Sequence, residues 1–413
     1  MNSKLQRAVI LGGGVSGKAA ERLCRALGIA SVILNDGDAD TLPPGDLVIV
    51  SPGVHPLRSN LYRLAQRSAL PMTSEMCFGF RHLGIPVAAV TGTNGKTTTT
   101  ELTAALLQAL GLRVAACGNI GRPVSDVAAE MREAGNKLYD VAVIEVSSFQ
   151  LELAAEFAPD AAVLLNLASD HEDRYRGGFA EYAAVKRRIF DRVKEPIYGL
   201  SMPDECARRV TVKADTVYID GAPFVELSET RLAAPHNREN LAAALELVLR
   251  FVPAPDMMNL AAAVRAFRPG AHRIEFVATK NGVTFVNDSK GTNPAAVLAA
   301  VNSLAGQIVI LLGGLGKGMD FAPLASLAPR LRAAVVYGEA REVIGDVMRG
   351  AGVETLDAGT DFARAFELAC REARPGDTVL LSPACASMDM FKNYEERGNT
   401  FRSLVQQIPE VEK

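Results

Sequence analysis

VAAVTGTNGKTTTT, residues 87–100, passes from an apolar run through a glycine-rich turn into a run of threonines. Val87–Val90 predicts a buried strand, and the residues from Lys96 onward predict a helix. Between them lie Gly92, Thr93, Asn94 and Gly95. Glycines in such a turn let backbone N–H groups approach phosphate oxygens, and the helix that follows presents its positive end. Lys96 is then placed for the β- and γ-phosphates, with the Thr97 hydroxyl for Mg²⁺ and Thr98 beside it. The spacing is shorter than the standard GxxxxGK[ST], because position 90 is Val where the first Gly belongs.

Outward from this stretch, apolar strands alternate with Ala/Leu-rich helical stretches, which predicts an α/β chain with largely parallel sheets. At 413 residues the chain is too long for one core. Composition shifts divide it into three blocks, 1–85, 86–268 and 269–413. The net charge of −3 shows no basic footprint for nucleic acid. No apolar run reaches the ~18 residues of a membrane span. The N-terminus runs directly into a strand and a glycine turn without a signal-peptide cleavage site. Six scattered cysteines with no CxxC pair point to reduced thiols, a cytoplasmic setting and no zinc site. Cys385 reads as a small packing residue.

The first block opens as a Rossmann-like unit. A strand at Ala8–Leu11 leads into Gly12, Gly14 and Gly17 as GxGxxG, then a helix over Lys18–Leu27. A second strand, Ser31–Leu34, ends at Asn35-Asp36, and Asp46–Ser51 ends in the turn Ser51-Pro52-Gly53. Asp36 stands where a dinucleotide site wants an acidic residue. A nucleotide or diphosphate site without redox chemistry fits equally, and so does a glycine turn needed only for packing.

In the second block, strands are expected at Arg113–Cys117, Tyr139–Val146 and Ala161–Asn166, and short irregular strands over 195–235. Glu145, at the carboxyl end of its strand, stands where a phosphate-loop protein holds Mg²⁺, though a charge at a helix start gives the same pattern. Ser147, Ser148 and Gln150 follow as polar donors. Asp170-His171 again puts ionisable groups beyond a strand, and His171 is a candidate for metal or phosphate chemistry. Lys186 reads locally as a surface lysine beside Arg187 and Arg188. Asn237 and Asn240 share one helix face at i, i+3 and suit either an adenine or ribose edge or a helix cap. In the third block, strands at Gly282–Asn287, Ile308–Leu312 and Thr378–Leu381 each run into a polar or glycine-rich loop, 287–293, 313–318 and 382–394. A fourth strand is expected at Ala333–Tyr337. The three loops are expected to gather at one sheet edge, where α/β proteins bind ligands.

Taken together, TGTNGKTTTT, EVSSFQLE (145–152), Asp170-His171, HNREN (236–240), HRIE (272–275) and NDSKGTN (287–293) resemble the Mur ligase family, ATP-dependent amide-forming enzymes of peptidoglycan precursor synthesis. The order is that family's, and the resemblance covers essentially the whole chain. SSFQLE, NDSKGTNP and LLSPACASMDMFKNYEERGN resemble its D-glutamate-adding branch, and the DNPR motif of the diaminopimelate- or lysine-adding branch is absent.

The resemblance implies a Rossmann-like N-terminal domain, a phosphate-loop central domain and a Rossmann-like C-terminal domain. It implies ATP, two Mg²⁺ ions and the substrates UDP-N-acetylmuramoyl-L-alanine and D-glutamate, with a monomer as the default. By it, Val15, Ser16, Asn35, Asp36, Ser51 and Gly53 face the UDP end, and Asn119, Ser147 and Gln150 face the rest of the precursor. Lys96, Glu145, His171 and Lys186 carry catalysis, with Thr97 and Glu145 near one metal and His171 near the other. Lys186 matches the family's carbamylated lysine, a role that comes wholly from the resemblance. Asn237, Asn240, Arg273 and Asp288 are assigned to the nucleotide, and Lys290, Thr292, Lys317, Ser387, Met388 and Tyr394 to D-glutamate. Two positions depart from the family pattern: GGLGKG has Leu315 for Asp, and Tyr394 stands for Phe. An oxidoreductase would leave the central phosphate loop unexplained, and a nucleotide switch would leave the C-terminal loops without purpose. The same chemistry with L-glutamate stays open.

Overall fold

The protein, a computed structural model, is described over residues 5–135, 138–171, 174–193, 196–202, 208–232 and 234–409. It divides into two compact units, Met1–Leu167 with Arg174–Arg268, and Ala168–Asp173 with Pro269–Lys413. Cys206 lies outside the described residues, and the other five cysteines form no disulfide. Among the described residues, no helix is long and apolar enough to cross a membrane.

The first unit holds two parallel sheets. The N-terminal one orders its strands Ala30–Leu34, Arg7–Leu11, Leu47–Val50 and Met72–Ser74. Leu11 pairs with both Leu34 and Val50, so the strands end flush and the turns after them meet at one edge. The helix Val15–Leu27 buries Ala19, Ala20, Leu23 and Cys24, one stripe at helical spacing. Gly17 is obligatory in that helix, because a Cβ there would sit 1.9 Å from the Gly12 carbonyl oxygen.

The central sheet orders Val114–Gly118, Val141–Glu145, Val87–Thr91, Ala161–Leu164 and Ile197–Tyr198, all parallel. Every residue of Val87–Thr91 is buried, the continuous apolar run of a strand covered on both faces. Val90 pairs with Glu145 and Thr91 with Leu164, which brings the phosphate loop, Glu145 and Asn166 to the same end of the sheet. The region expected to be irregular forms an antiparallel sheet of Val210–Lys213, Thr216–Ile219 and Ala222–Glu226.

The second unit is a six-stranded sheet in the order Glu275–Lys280, Val283–Asn287, Thr378–Ala384, Ile308–Gly313, Leu331–Tyr337 and Glu354–Asp357. Ile308, Ile310 and Leu312 enter one core, while Val309 and Leu311 enter the other, so both faces are covered. The three strands with polar C-terminal loops are neighbours, as expected. The edge strand Glu275–Lys280 was not anticipated. It is antiparallel, joined to its neighbour by Asn281-Gly282, both at positive φ (51° and 78°), the backbone of a tight hairpin.

Candidate active site

The phosphate loop is braced from two sides. Asn166 receives the Asn94 amide at its Oδ1 (2.9 Å), and its Nδ2 donates to Asn94 O (3.2 Å) and Glu239 Oε2 (3.0 Å). Gly95 has φ 84°, and a Cβ there would lie 2.2 Å from Asn240 Oδ1. Gly95 caps the helix Lys96–Ala109 without a side-chain hydrogen bond, and no acidic residue sits in the first turn. Its leading N–H groups therefore favour an anion. The Lys96 ammonium folds back onto the loop, donating to the carbonyls of Gly92 (3.0 Å) and Thr93 (2.8 Å). Thr97 and Thr98 are buried at the helix start.

Glu145 is 1 % exposed at the adjoining strand end. Its Oε1 accepts from Asn119 Nδ2 at 2.8 Å, while its buried Oε2 has no hydrogen-bond partner. An unpaired buried carboxylate oxygen costs free energy that a cation recovers. Among the described residues, no group of three or more His, Cys, Asp or Glu forms a metal cage. Mg²⁺ is typically held by one or two protein oxygens together with substrate phosphates and water. The unpartnered Oε2 of Glu145 is a donor that fits such an ion. Ser147 and Gln150 close a capping box on the next helix, so Gln150 Oε1 is taken by the Ser147 amide (2.9 Å) and hydroxyl (3.0 Å).

Lys186 is not a surface residue. It is 2 % exposed on the helix Gly178–Arg187, with Nζ 4.9 Å over the Tyr182 ring. Tyr182 in turn places its hydroxyl 3.1 Å from Thr93 Oγ1. Tyr182 escaped the sequence reading, although it sits one turn before Lys186 and its i, i+4 spacing would have paired them. Asn237 and Asn240 share a face as expected, but both are buried. Asn240 donates to Asn237 Oδ1 (3.1 Å) and accepts from Thr99 (3.3 Å), so these amides support the phosphate-loop helix.

At the edge of the N-terminal sheet a cavity of about 550 Å³ is lined by Val15, Ser16, Asn35, Asp36, Ser51 and Gly53, together with Arg58, which the sequence reading passed over. Asn35 Oδ1 accepts from Gly13 N (2.8 Å). Asp36 Oδ1 accepts from the Ser59 hydroxyl (2.9 Å) and Leu61 N (3.0 Å), which spends that oxygen on the helix Asn60–Arg67. Val15 stands 72 % exposed.

In the second unit, Asp288 is buried with Oδ2 accepting from Ser382 (2.7 Å) and Oδ1 from Ile274 N (3.2 Å). Burial pushes its carboxyl up to about 7. Arg397 is fully buried. It donates to Ser289 Oγ (3.0 Å), Ser289 O (2.8 Å) and Cys385 O (3.1 Å), joining two of the strand-end loops. Leu315 joins the third by backbone pairing with Ala386. Asp170-His171 packs with this second unit, Asp170 Oδ2 lying 3.5 Å from Asn293 Nδ2, whereas Lys96, Glu145 and Lys186 belong to the first.

Residues 90–218 match the Mur ligase middle domain, and residues 272–385 match the Mur ligase glutamate ligase domain. This chain belongs to the Mur ligase family. It is similar to a protein of Pelotomaculum thermopropionicum named UDP-N-acetylmuramoylalanine–D-glutamate ligase, at 36% identity over 97% of each chain. It is also similar to a protein of that name from Nitratidesulfovibrio vulgaris, at 38% identity over 97% of this chain and 96% of the other. Its fold is that of the UDP-N-acetylmuramate-alanine ligase of Thermotoga maritima, with a TM-score of 0.63 at 16% identity over 97% and 99% of the two chains.

The structure defines the surroundings of Leu315 and Tyr394, the two positions at which a departure from the family pattern is expected. Leu315 contributes its backbone to the Ala386 bridge. Tyr394 carries Lys290 Nζ 3.8 Å over its ring, and its hydroxyl, the group that Phe lacks, bonds Glu395 at 3.1 Å. Ser387 is buried, while Met388 is 65 % exposed.

Proposed function

We propose that this Mur ligase joins D-glutamate to UDP-N-acetylmuramoyl-L-alanine at the expense of ATP. The observation that carries this reading is the meeting of the phosphate loop with the Asn119–Glu145 pair at one sheet end. The branch rests on the names its relatives share along almost their whole length.

In this reading residues 1–85 hold the UDP end, 86–268 hold ATP, and 269–413 supply the glutamate site. The γ-phosphoryl group of ATP passes to the alanine carboxylate of the precursor, giving an acyl phosphate. The glutamate amine attacks that carbonyl, and phosphate leaves from the tetrahedral intermediate. Such transfer depends on positioning and charge neutralisation. Lys96 exchanges its two loop carbonyls for phosphate oxygens. Asn119 holds Glu145 in one orientation and, with Ser147, faces the precursor. Mg²⁺, when bound at Glu145 and Thr97, neutralises phosphate charge. A second ion at His171 belongs to the same reading, as does carbamylation of Lys186, which would turn a buried cation into an anion beside Tyr182. Asn237, Asn240, Arg273 and Asp288 serve the nucleotide; Lys290, Thr292, Lys317, Ser387, Met388 and Tyr394 serve the amino acid.

The chain is read as a cytoplasmic monomer. Incubation with ATP, Mg²⁺, precursor and labelled D-glutamate tests the reaction. A product with the mass of precursor plus one glutamyl residue is expected. Unchanged precursor, or a product formed only from L-glutamate, would overturn it.

A further inference from the structure

Glu152 closes the EVSSFQLE motif and caps the helix Ser148–Leu151 through its backbone N–H, but the site described above gives its carboxylate no role. Its carboxylate is taken by Arg174, through Nε to Oε1 and Nη2 to Oε2, both at 2.7 Å. The Tyr175 hydroxyl adds a third bond at 3.0 Å. Arg174 has only 6 % of its side chain exposed. A buried bidentate pair of this kind is geometrically specific and intolerant of losing one partner.

Three further contacts say what the pair joins. The Arg174 guanidinium lies 4.0 Å over the ring of Phe149, in the short helix Ser148–Leu151 that follows Glu145. Its Nη1 and Nη2 both point to the Val54 carbonyl at 3.4 Å. Val54 and the turn before it line the 550 Å³ cavity of the N-terminal sheet. Leu153, next to Glu152, packs with Val54 against that sheet's outer core and accepts the Ser74 amide at 3.0 Å. One arginine thus spans the turn Ser51–Val54 and the helix carrying Gln150.

We propose that Arg174, locked by Glu152, is a positioning residue. It fixes the cavity turn relative to the strand-end helix, so that a nucleoside diphosphate held in the cavity delivers its far end to Asn119 and Glu145. The proposal rests on the reading that the cavity takes the UDP end. A tie of this kind converts binding energy at a remote part of the substrate into placement at the reacting atoms.

The test compares wild type with Arg174→Met, which keeps apolar bulk over Phe149, and with Glu152→Gln and the double variant. Hydrogen exchange in the absence of substrate reports the tie itself. Faster exchange is expected at Gly53–His55 and at Ser148–Leu151 together, with the rest of the first unit unchanged. Steady-state kinetics report its use. KM for the precursor is expected to rise about 10-fold while KM for ATP stays within about 2-fold, with the double variant no worse than either single, as for one unit. Faster exchange in the helix alone, or KM values for ATP and precursor rising together, would overturn the proposal. Failure of wild type to bind UDP would sink the reading of the cavity, while the exchange experiment would still decide the tie.

Discussion

The two strand-end regions of this molecule carry similar residues in opposite states. At the end of the central sheet, polar groups are left with capacity to spare. Glu145 has an unpartnered buried oxygen, Lys96 is parked on two carbonyls of its own loop, and the helix start has no side-chain cap. At the end of the C-terminal sheet, most capacity is consumed internally, and Arg397 Nη1 alone of that guanidinium's nitrogens is buried without a hydrogen-bond partner. Both Asp288 oxygens are bonded, and Arg397 makes three bonds to two loops. The first leaves a carboxylate oxygen and a helix start open to charge, while the second spends most of its bonds on its own loops. Substitutions in the first are expected to cost activity at constant stability, and substitutions of the internally bonded Asp288 and Arg397 in the second to cost stability as well.

The largest effect is expected at Lys96. Lys96→Ala should lower turnover by roughly 10³-fold or more, the scale of losing a phosphate-stabilising cation, with an unchanged melting temperature. Near-normal turnover in that variant would break the contrast from the catalytic side. Lys186→Ala should also be nearly inactive but recover part of its rate with short-chain carboxylates, which restore an anion beside Tyr182. Wild-type activity without rescue would take Lys186 out of the site.

On the other side, Arg397→Met should destabilise the second unit by about 1–3 kcal/mol, because the Ser289 and Cys385 carbonyls lose a buried donor. Urea unfolding measures this, and a variant with native stability but no activity would reverse the assignment. The smallest effect concerns pH. Asp288 sits at about 7 in the folded chain, above the ordinary carboxylate value. A raised value means that its contribution to stability is fully present below about pH 4 and is lost as pH rises through 7. Asp288→Asn should therefore flatten the fall in stability between pH 4 and 7, and an unchanged slope would mean that the carboxyl is charged when buried.

The same contrast explains what could be read from the chain alone. The phosphate loop was legible because its signal is local: strand, Gly92, Gly95, Lys96 and helix fall within a few residues. The gathering of three C-terminal loops was legible because strand ends in parallel sheets share an edge. The hairpin at Asn281-Gly282 carries a readable Asn-Gly turn signal, although its first arm was not expected as a strand. The burial of Lys186 and Arg397 was not legible, whereas Tyr182 could have been paired with Lys186 from its i, i+4 spacing. For Arg397 the partners lie far along the chain, Ser289 being 108 residues before it. A charged residue on a helix looks solvated until its tertiary neighbours are known.

The most direct test of the account is phosphate release with ATP, Mg²⁺ and UDP-N-acetylmuramoyl-L-alanine, adding D-glutamate, L-glutamate or L-lysine in parallel. The account predicts release that requires both the precursor and D-glutamate. Release with L-glutamate alone would keep the chemistry and contradict the specificity, and no release with any of the three would contradict the central claim that the open end of the central sheet is a site of phosphoryl transfer to this precursor.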